Sequence, residues 1–212
     1  MTNEEKYRLI YEYQRGGYEN FPTFEEWLNK IESDFASKED FESEYSYAVI
    51  AKERTKKFQK LIQENSYVLI NNGIDEEEID YILSNEIYSI NMDSEIIRML
   101  FVIETLKVFN IYDHNIKINN IETIGGGYYD DGEIYGYNIN IDNGDKYRIE
   151  LLDFEDAPEE GVTSLSFKPS NNKDYMDAQI EMLKKFEGSY NDGSIIMARK
   201  KLEEARDKKI HI

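Results

Sequence analysis

Cysteine is absent from this chain of 212 residues. Without thiols the chain cannot form a disulfide framework, a thiolate nucleophile or a cysteine-based zinc site, and this absence suits a reducing compartment. The N-terminus is acidic and lacks the basic and apolar regions of a signal peptide. No apolar run approaches the roughly 18 residues that a membrane-spanning helix needs. We therefore expect a soluble, cytoplasmic protein without a membrane partner.

Positively charged residues are scarce as well. The chain contains 44 acidic and 25 basic residues, which gives a formal net charge of -19. A surplus of this size repels DNA, RNA and anionic membranes, and it attracts basic surfaces. We therefore expect a basic protein as the partner, and we do not expect direct binding to nucleic acid.

Histidine occurs only as His114 and His211. No serine or acidic residue near either one forms a recognisable nucleophile motif, so a catalytic histidine is not expected. The glycine triplet at residues 125–127 follows a predicted strand, but tyrosines and aspartates come next and not a helix with a lysine. This context favours a loop over a phosphate-binding site. We predict no enzymatic activity, no catalytic residue and no cofactor.

Hydrophobic residues nevertheless make up 40% of the chain and aromatic residues 13%, which is too much for a disordered acidic tail. Residues 1–110 have the apolar periodicity of helices. Thr2 and Glu5 have the spacing of a capping box, and Thr23 and Glu26 repeat it. Each of these pairs predicts the start of a helix.

Glycines predict where two of these helices end. Gly16 terminates the first helix, and Gly73 terminates a long helix that begins near Ser37, because glycine adopts the left-handed conformation without steric cost. The single tryptophan, Trp27, lies in an apolar stripe and is expected in the core. Asp75 opens a further short helix, whose first turn is acidic.

The helix predicted at residues 94–110 differs from the others because apolar residues surround it almost completely. A helix of this kind is either central in its domain or part of a dimer interface. We favour the central position. A homodimer remains open through any face of the helix that the rest of the chain leaves uncovered.

From about residue 111 the apolar period changes from about 3.6 to about 2, which predicts strands. A two-residue Asn-Gly turn in residues 142–144 would place the two flanking apolar sets on opposite faces. A three-residue turn with Gly144 in the left-handed conformation pairs them on one face: Ile139 with Tyr147, Tyr137 with Ile149 and Tyr135 with Leu151. We therefore predict this bulged hairpin, flanked by strands near 116–124 and 162–167 in an antiparallel meander.

Two helices are predicted to close the chain, at about 174–187 and 193–209. The last one is rich in lysine and arginine, which we expect to pair with the acidic body. The predicted fold class is α+β, with an N-terminal helical bundle over residues 1–110. A small antiparallel β-meander and the two C-terminal helices follow over residues 111–212, and the two regions can pack as one domain.

Two acidic clusters lie between the predicted strands. The first contains Asp130, Asp131 and Glu133 beside Tyr128 and Tyr129, and the second contains Asp153, Glu155, Asp156, Glu159 and Glu160. Neither cluster has the spacing of a calcium-binding EF-hand loop, so we expect solvated loops without a specific metal. Tyrosine is enriched in protein interfaces. We predict that these ten residues form the partner-binding site.

These features favour a protein that inhibits a nucleic-acid-binding effector by occupying its basic surface. Carboxylates at the spacing of DNA phosphates can compete for the same lysine and arginine groove. In composition, though in no motif, the chain resembles mobile-element proteins that disable nucleases, restriction systems or CRISPR effectors. The resemblance implies a phage or mobile-element anti-defence protein, such as an anti-CRISPR that mimics nucleic acid.

Three other functions remain open. The chain can be an immunity protein, scaffold or regulator that presents the same acidic surface to another target. It can be a divalent-metal-dependent enzyme, which would need convergent carboxylates in a concave site. It can also be an acidic globular domain whose charge serves only solubility.

Overall fold

The computed structural model describes residues 2–16, 20–34, 38–92, 94–125, 134–152, 157–189 and 191–208. Within these residues, five helices precede the sheet: α1 (Asn3–Arg15), α2 (Phe24–Asp34), α3 (Lys38–Asn71), α4 (Glu76–Ser84) and α5 (Glu95–Val108). Four strands and two helices follow: β1 (Ile118–Gly125), β2 (Ile134–Ile141), β3 (Lys146–Glu150), β4 (Val162–Ser166), α6 (Lys173–Phe186) and α7 (Gly193–Lys208). The predicted α+β class is confirmed. None of the described helices combines the length and apolarity needed to cross a membrane.

The chain divides into two compact units. Unit 1 contains residues 1–61 and 77–90, and unit 2 contains residues 62–76 and 91–212. Unit 1 therefore holds α1, α2 and most of α3 and α4. Unit 2 holds the end of α3 together with α5, the whole sheet, α6 and α7.

Helix α1 begins and ends where the sequence predicts. The Thr2 hydroxyl accepts a hydrogen bond from the Glu5 amide at 3.3 Å, and the Glu5 carboxylate accepts one from the Thr2 amide at 2.6 Å. The helix ends at Gly16, whose φ of 51° is left-handed. Both signals depend on residues within one turn of the helix end, which is why the sequence reveals them.

The next two boundaries follow the same local rules. The Glu26 carboxylate accepts hydrogen bonds from the amide and the hydroxyl of Thr23, at 3.0 and 2.9 Å. These bonds lower the pKa of Glu26, with the backbone amide as the main cause. At the end of α3, Gly73 has a φ of 92°, and its amide donates to the Ile70 carbonyl at 3.0 Å. The predictions at Thr23 and Gly73 are confirmed.

We expect Thr2→Ala to lower the free energy of unfolding of unit 1 by about 1 kcal/mol, because α1 loses its N-terminal cap. Urea unfolding followed by the fluorescence of Trp27 measures this, since Trp27 lies against Tyr11 of α1 with ring centroids 5.5 Å apart. Thr2→Ser keeps the capping oxygen and should unfold at the same urea concentration as the original chain. An equal loss of unfolding free energy in Thr2→Ala and Thr2→Ser would show that the capping hydrogen bond does not stabilise unit 1.

Aromatic side chains form the core of unit 1 around the single tryptophan. Trp27 is 4% exposed and packs in a cluster with Leu9, Ile10 and Ala48. Its indole N–H donates to the side-chain oxygen of Gln14 at 2.9 Å, so the buried polar atom is satisfied. The prediction that Trp27 lies in the core is confirmed.

Helix α5 is the central helix of unit 2. Its residues from Ile96 to Leu106 are buried except for Arg98, which is half-buried. The Phe101 ring contacts Tyr137 of β2 and Phe186 of α6, with centroids 5.5 and 5.0 Å away. The preferred central position is confirmed. Within the described chain, α5 leaves no apolar face open for the homodimer contact considered above.

The hairpin between β2 and β3 has the register predicted from the sequence. Tyr137 pairs with Ile149 and Ile139 pairs with Tyr147 in an antiparallel ladder. Gly144 has a φ of 90°, and the three-residue turn 142–144 is closed by the Ile141 amide, which donates to the Asp145 carbonyl at 3.0 Å. The prediction of a bulged hairpin is confirmed, because only this register keeps both apolar sets on the core side.

The last strand corrects the predicted antiparallel meander. The sheet has the order β1-β2-β3-β4, but β4 runs parallel to β3, with Val162 beside Lys146 and Leu165 beside Ile149. Strand β4 therefore begins beside the start of β3 and not beside its end. Alternation of apolar residues has the same period in both directions along a strand. It shows which side chains face the core, and it does not show the direction of the strand.

Candidate functional site

Most of the predicted partner-binding residues lie outside the described residues. These are Tyr128, Tyr129, Asp130, Asp131, Glu133, Asp153, Glu155 and Asp156. The other two, Glu159 and Glu160, are described and exposed, just before β4. Whether the ten residues form one surface stays a prediction.

The described residues that flank segment 126–133 lie at the same end of the sheet as the residues just before segment 153–156. Gly125, at the end of β1, pairs with Ile134 at the start of β2. The Leu151 amide, just after β3, donates to the Tyr135 carbonyl at 2.9 Å. The residues before segment 153–156 are therefore neighbours of those that flank segment 126–133. Glu159 and Glu160 instead precede Val162, which lies beside Lys146 at the other end of β3.

Glu159 lines a depression of about 330 Å³ over the side of the sheet that we call the outer sheet face. The polar residues of this depression carry both signs of charge and several carboxamides: Asn120, Glu122, Asn138, Asn140, Lys146 and Arg148. At its β3 edge, Glu150 is only 6% exposed and accepts a hydrogen bond from the Ser166 hydroxyl. Arg148 and Lys168 each lie 3.8 Å from the Glu150 carboxylate. The outer sheet face is therefore polar and mixed in charge, not purely acidic.

A second cavity, of about 350 Å³, lies where the β2–β3 turn meets the segment before β1. We call it the hairpin-end pocket. Ile111, Ile116 and Ile141 supply its apolar lining, and Asp113, Asp142 and Asp145 supply its carboxylates; Lys117, Asn115, Asn143 and Tyr147 complete it. All three aspartates are exposed. The pocket therefore combines an apolar lining with solvent-facing negative charge.

Local turn chemistry positions the carboxylates of the hairpin-end pocket. Asp113 accepts a hydrogen bond from the Asn115 amide at 2.7 Å. Asp145 accepts one from the Asn143 side chain at 2.7 Å and one from the Tyr147 hydroxyl at 3.3 Å. Burial raises the pKa of Tyr147, and the negative charge of Asp145 raises it further. Hydrogen bonds within the chain thus orient two of the three carboxylates.

The end of α3 fixes the other side of the hairpin-end pocket. The Asn72 side chain donates to the Ile116 carbonyl at 3.0 Å and accepts a bond from the Ile118 amide at 2.6 Å. The Lys117 ammonium donates to the Asn71 carbonyl. The one lysine among the pocket residues is therefore already bound to the backbone.

Sequence reasoning missed these aspartates as a group. It used residues 142–144 only to set the hairpin turn, and it gave Asp113 no role. The three residues come together because the Asp142 amide donates to the Lys117 carbonyl at 3.0 Å, which joins the turn to the segment before β1. The only local feature that could have indicated this group of aspartates was a strand placed directly before an acidic turn.

Unit 1 carries an acidic face of its own on α4. Glu77, Asp80, Tyr81 and Ser84 are exposed on one side of this helix, whereas Ile79 and Ile82 are buried on the other side. Tyr81 is 48% exposed, and its ring contacts that of Tyr88. This face combines carboxylates with an exposed aromatic ring, at residues that the sequence analysis did not name.

Arginines of the C-terminal helix are engaged within unit 2. Arg199 contacts the carboxylates of Glu187 and Glu203, and its bond to Glu187 is the main cause that raises the pKa of Arg199. Arg206 lies 3.2 Å from Asp177 of α6 and 3.0 Å from Asp207. All four carboxylates belong to the C-terminal segment itself, so these two arginines do not make the predicted pairing with the acidic residues of the preceding segments.

Metal-binding and histidine chemistry would be the main signs of catalysis in a chain without cysteine. Among the described residues, no three acidic or histidine side chains lie close enough to hold a metal ion. His114 is exposed, and its Nδ1 atom lies 3.3 Å from the hydroxyl oxygen of Tyr112. His211 lies outside the described residues.

Comparisons with protein-family models, with curated proteins and with solved structures found no match to this chain.

Proposed function

We propose that the protein binds a basic protein surface and acts by occupying it. The observation that carries this proposal is the excess of 44 acidic over 25 basic residues, part of which the structure places on exposed surfaces. Arg199 and Arg206 are bound to carboxylates within the chain, whereas the hairpin-end pocket and the α4 face direct carboxylates to solvent. Basic residues such as Arg54 and Lys56 on α3 are exposed too, but the excess of acidic residues makes the charge that the chain presents to a partner mainly negative.

The net charge of -19 gives this surface a long-range role. A field of one sign speeds the encounter with an oppositely charged partner and disfavours partners of like charge. Exposed tyrosines add contact area at low entropic cost. Tyr81 beside the α4 carboxylates is one example, and Tyr47 on α3, at 55% exposed, is another.

The narrower proposal is that the target is a nucleic-acid-binding effector of bacterial defence, of the nuclease or CRISPR type. Such an effector has a groove of lysines and arginines that is built to hold phosphates. Carboxylates on a rigid scaffold can fill the same groove and exclude the nucleic acid. Under this proposal the chain catalyses no reaction, and its source is a phage or another mobile element.

We expect the immobilised chain to retain a nucleic-acid-binding protein from a lysate of a bacterium that carries such defence systems. Because the interaction is electrostatic, raising the salt concentration should release this protein. Duplex DNA at low salt should release it too, since both ligands would occupy one groove. Mass spectrometry of the eluates identifies the retained protein.

A resin that carries polyglutamate at the same charge density is the control for simple ion exchange. Retention of the same proteins on both resins would contradict the proposal. A specific partner that salt releases and DNA does not would favour the immunity-protein or regulator function over the inhibitor. A shift of duplex DNA by the purified chain itself, near physiological salt, would contradict the expectation of no direct nucleic-acid binding.

A further inference from the structure

We infer that the hairpin-end pocket receives one lysine or arginine side chain of the basic partner. The inference rests on the proposed function, because it names the chemical group that the acidic surface recognises. It also identifies a particular place on the chain, formed by residues 111–117 and 141–147. The pocket belongs entirely to unit 2.

The size of the pocket fits a single side chain. Its volume of about 350 Å³ is at the lower end of the range in which proteins bind small molecules. A large cofactor would need more space, and a flat protein surface would present no cavity. A long, slender group that enters from an exposed partner surface fits within this volume.

The lining matches the two chemical parts of a long basic side chain. Lysine and arginine carry an apolar stem and a cationic head, and they bury the stem while the head stays at the polar edge. Ile111, Ile116 and Ile141 would pack on the stem. The carboxylates of Asp142 and Asp145 would accept charge-assisted hydrogen bonds from the head.

The same residues disfavour other ligands. An anion would meet three aspartates, and Lys117, the one cation among the pocket residues, is already bound to the Asn71 carbonyl. A small metal ion needs three or more ligands close together, and no such group exists among the described residues. An organic cation can bind carboxylates that lie further apart, because its several N–H groups point in different directions.

The pocket is also prepared for a cation before it binds one. Asp145 is oriented by Asn143 and Tyr147, as described above. No described residue donates a hydrogen bond to the Asp142 carboxylate, so its acceptor sites are open to the partner. Orienting a carboxylate in advance reduces the entropy lost on binding.

A titration with arginine amide tests the inference directly. The control is citrulline amide, which has the same α-amino group and an uncharged side chain of nearly the same shape. In ¹H–¹⁵N correlation spectra of the full chain, arginine amide should shift the backbone amides of Lys117, Asn143, Gly144 and Asp145. Citrulline amide should shift them at least about tenfold less at equal concentration. Equal shifts with both compounds, or no localised shift with arginine amide, would overturn the inference.

The double variant Asp142→Asn, Asp145→Asn removes the charge and keeps residues that suit a turn. It should bind arginine amide at least about tenfold more weakly than the original chain. The matched control is Asp174→Asn with Glu204→Gln, which changes the charge equally at exposed positions on α6 and α7. This control should bind arginine amide as tightly as the original chain. Thermal unfolding of both variants shows whether each remains folded.

The partner experiment separates failure of this inference from failure of the proposed function. If the pocket holds a partner side chain, the pocket variant should lose at least about tenfold in affinity for the captured protein, and the control variant should not. Equal affinity of both variants would overturn the pocket and leave the proposed function standing. Absence of any specific basic partner would overturn the proposed function, whereas the arginine amide titration would still report on the pocket.

Discussion

Replacing Gly136 with alanine is expected to destabilise unit 2 by at least about 3 kcal/mol, the upper range for forced overpacking of a core. Gly136 lies in β2 beside β3, paired with Glu150. A Cβ atom at this position would lie 2.1 Å from the carbonyl oxygen of Ile149 and 3.2 Å from its carbonyl carbon. The first of these distances is more than about 1 Å shorter than normal van der Waals contact.

The neighbouring strand cannot retreat cheaply from this clash. Ile149 is fully buried and pairs with Tyr137, which is also fully buried and contacts Phe101 of α5. Moving the Ile149 backbone would therefore open the ladder between β2 and β3 and disturb the packing on α5. The cost comes from backbone meeting backbone, which no side-chain rotamer can relieve.

Hydrogen exchange of the β2 and β3 amides, together with urea unfolding followed by circular dichroism, measures the effect. Gly161→Ala is the matched control, because Gly161 has a φ of 83° and no heavy atom lies within 4 Å of the place that an alanine methyl group would take there. It should cost only the strain of a left-handed alanine, about 1–2 kcal/mol. Equal destabilisation by Gly136→Ala and Gly161→Ala would show that the close approach of β2 and β3 is not the reason for a glycine at position 136.

Replacing Glu104 with glutamine is expected to cost about 2 kcal/mol at pH 7, since charge-assisted hydrogen bonds contribute about 1.5–3 kcal/mol when one partner is charged. Glu104 lies on the central helix α5 and is 5% exposed. Its carboxylate accepts hydrogen bonds from Lys107, at 2.6 Å, and from Lys185 of α6. Asn65 of α3 accepts a bond from the same Lys107 ammonium at 2.7 Å.

The loss of unfolding free energy in Glu104→Gln stays moderate because the two lysines are partly exposed. Their side chains are 34% and 41% exposed, so water can solvate them when the carboxylate is lost. A fully buried ion pair would lose about 3–5 kcal/mol in the same test. Glu181→Gln on α6 is the control, because it breaks an exposed pair with Lys184 and should change the unfolding free energy little.

The pH dependence has a definite sign. Burial raises the pKa of Glu104, but the hydrogen bonds from Lys107 and Lys185 outweigh burial and hold the pKa below its ordinary value of 4.5. A carboxyl group whose pKa is lower in the folded state stabilises the fold above its unfolded pKa. This stabilisation is lost as the pH falls through the lower, folded pKa.

The difference between the original chain and Glu104→Gln should therefore be constant near neutral pH and shrink below about pH 4.5. Urea midpoints measured at a series of pH values test this. A difference that grows on acidification would contradict an ionised Glu104 that accepts hydrogen bonds from both lysines. A difference that stays constant down to strongly acidic pH would contradict it as well.

The two acidic surfaces show where sequence reasoning reached its limit. Exposed carboxylates beside tyrosines were predicted, and the α4 face has this composition around Tyr81. The positions predicted for the partner-binding site mostly lie outside the described residues and stay a prediction. Acidic residues are so frequent in this chain that composition alone cannot select among them. Asp113 and Asp145 line one pocket only because the fold brings the β2–β3 turn against the segment before β1.

The sequence by itself determined the elements and their local boundaries. Caps at Thr2 and Thr23, the glycine ends at Gly16 and Gly73 and the hairpin register depend on residues within a few positions of one another. Such features are governed by short-range hydrogen bonds and by side-chain alternation, which a single chain displays directly. The sign of the net charge, and hence the class of partner proposed, also follows from the sequence alone.

Only the tertiary structure decided how distant parts of the chain combine. It set the parallel direction of β4, the contact between Glu104 and Lys185, and the pocket that joins Asp113 to Asp145. Neither alternation nor composition specifies which way a strand returns or which of many carboxylates meets a given lysine. Both depend on contacts between residues far apart in the sequence, where buried surface and paired charge must be satisfied at the same time.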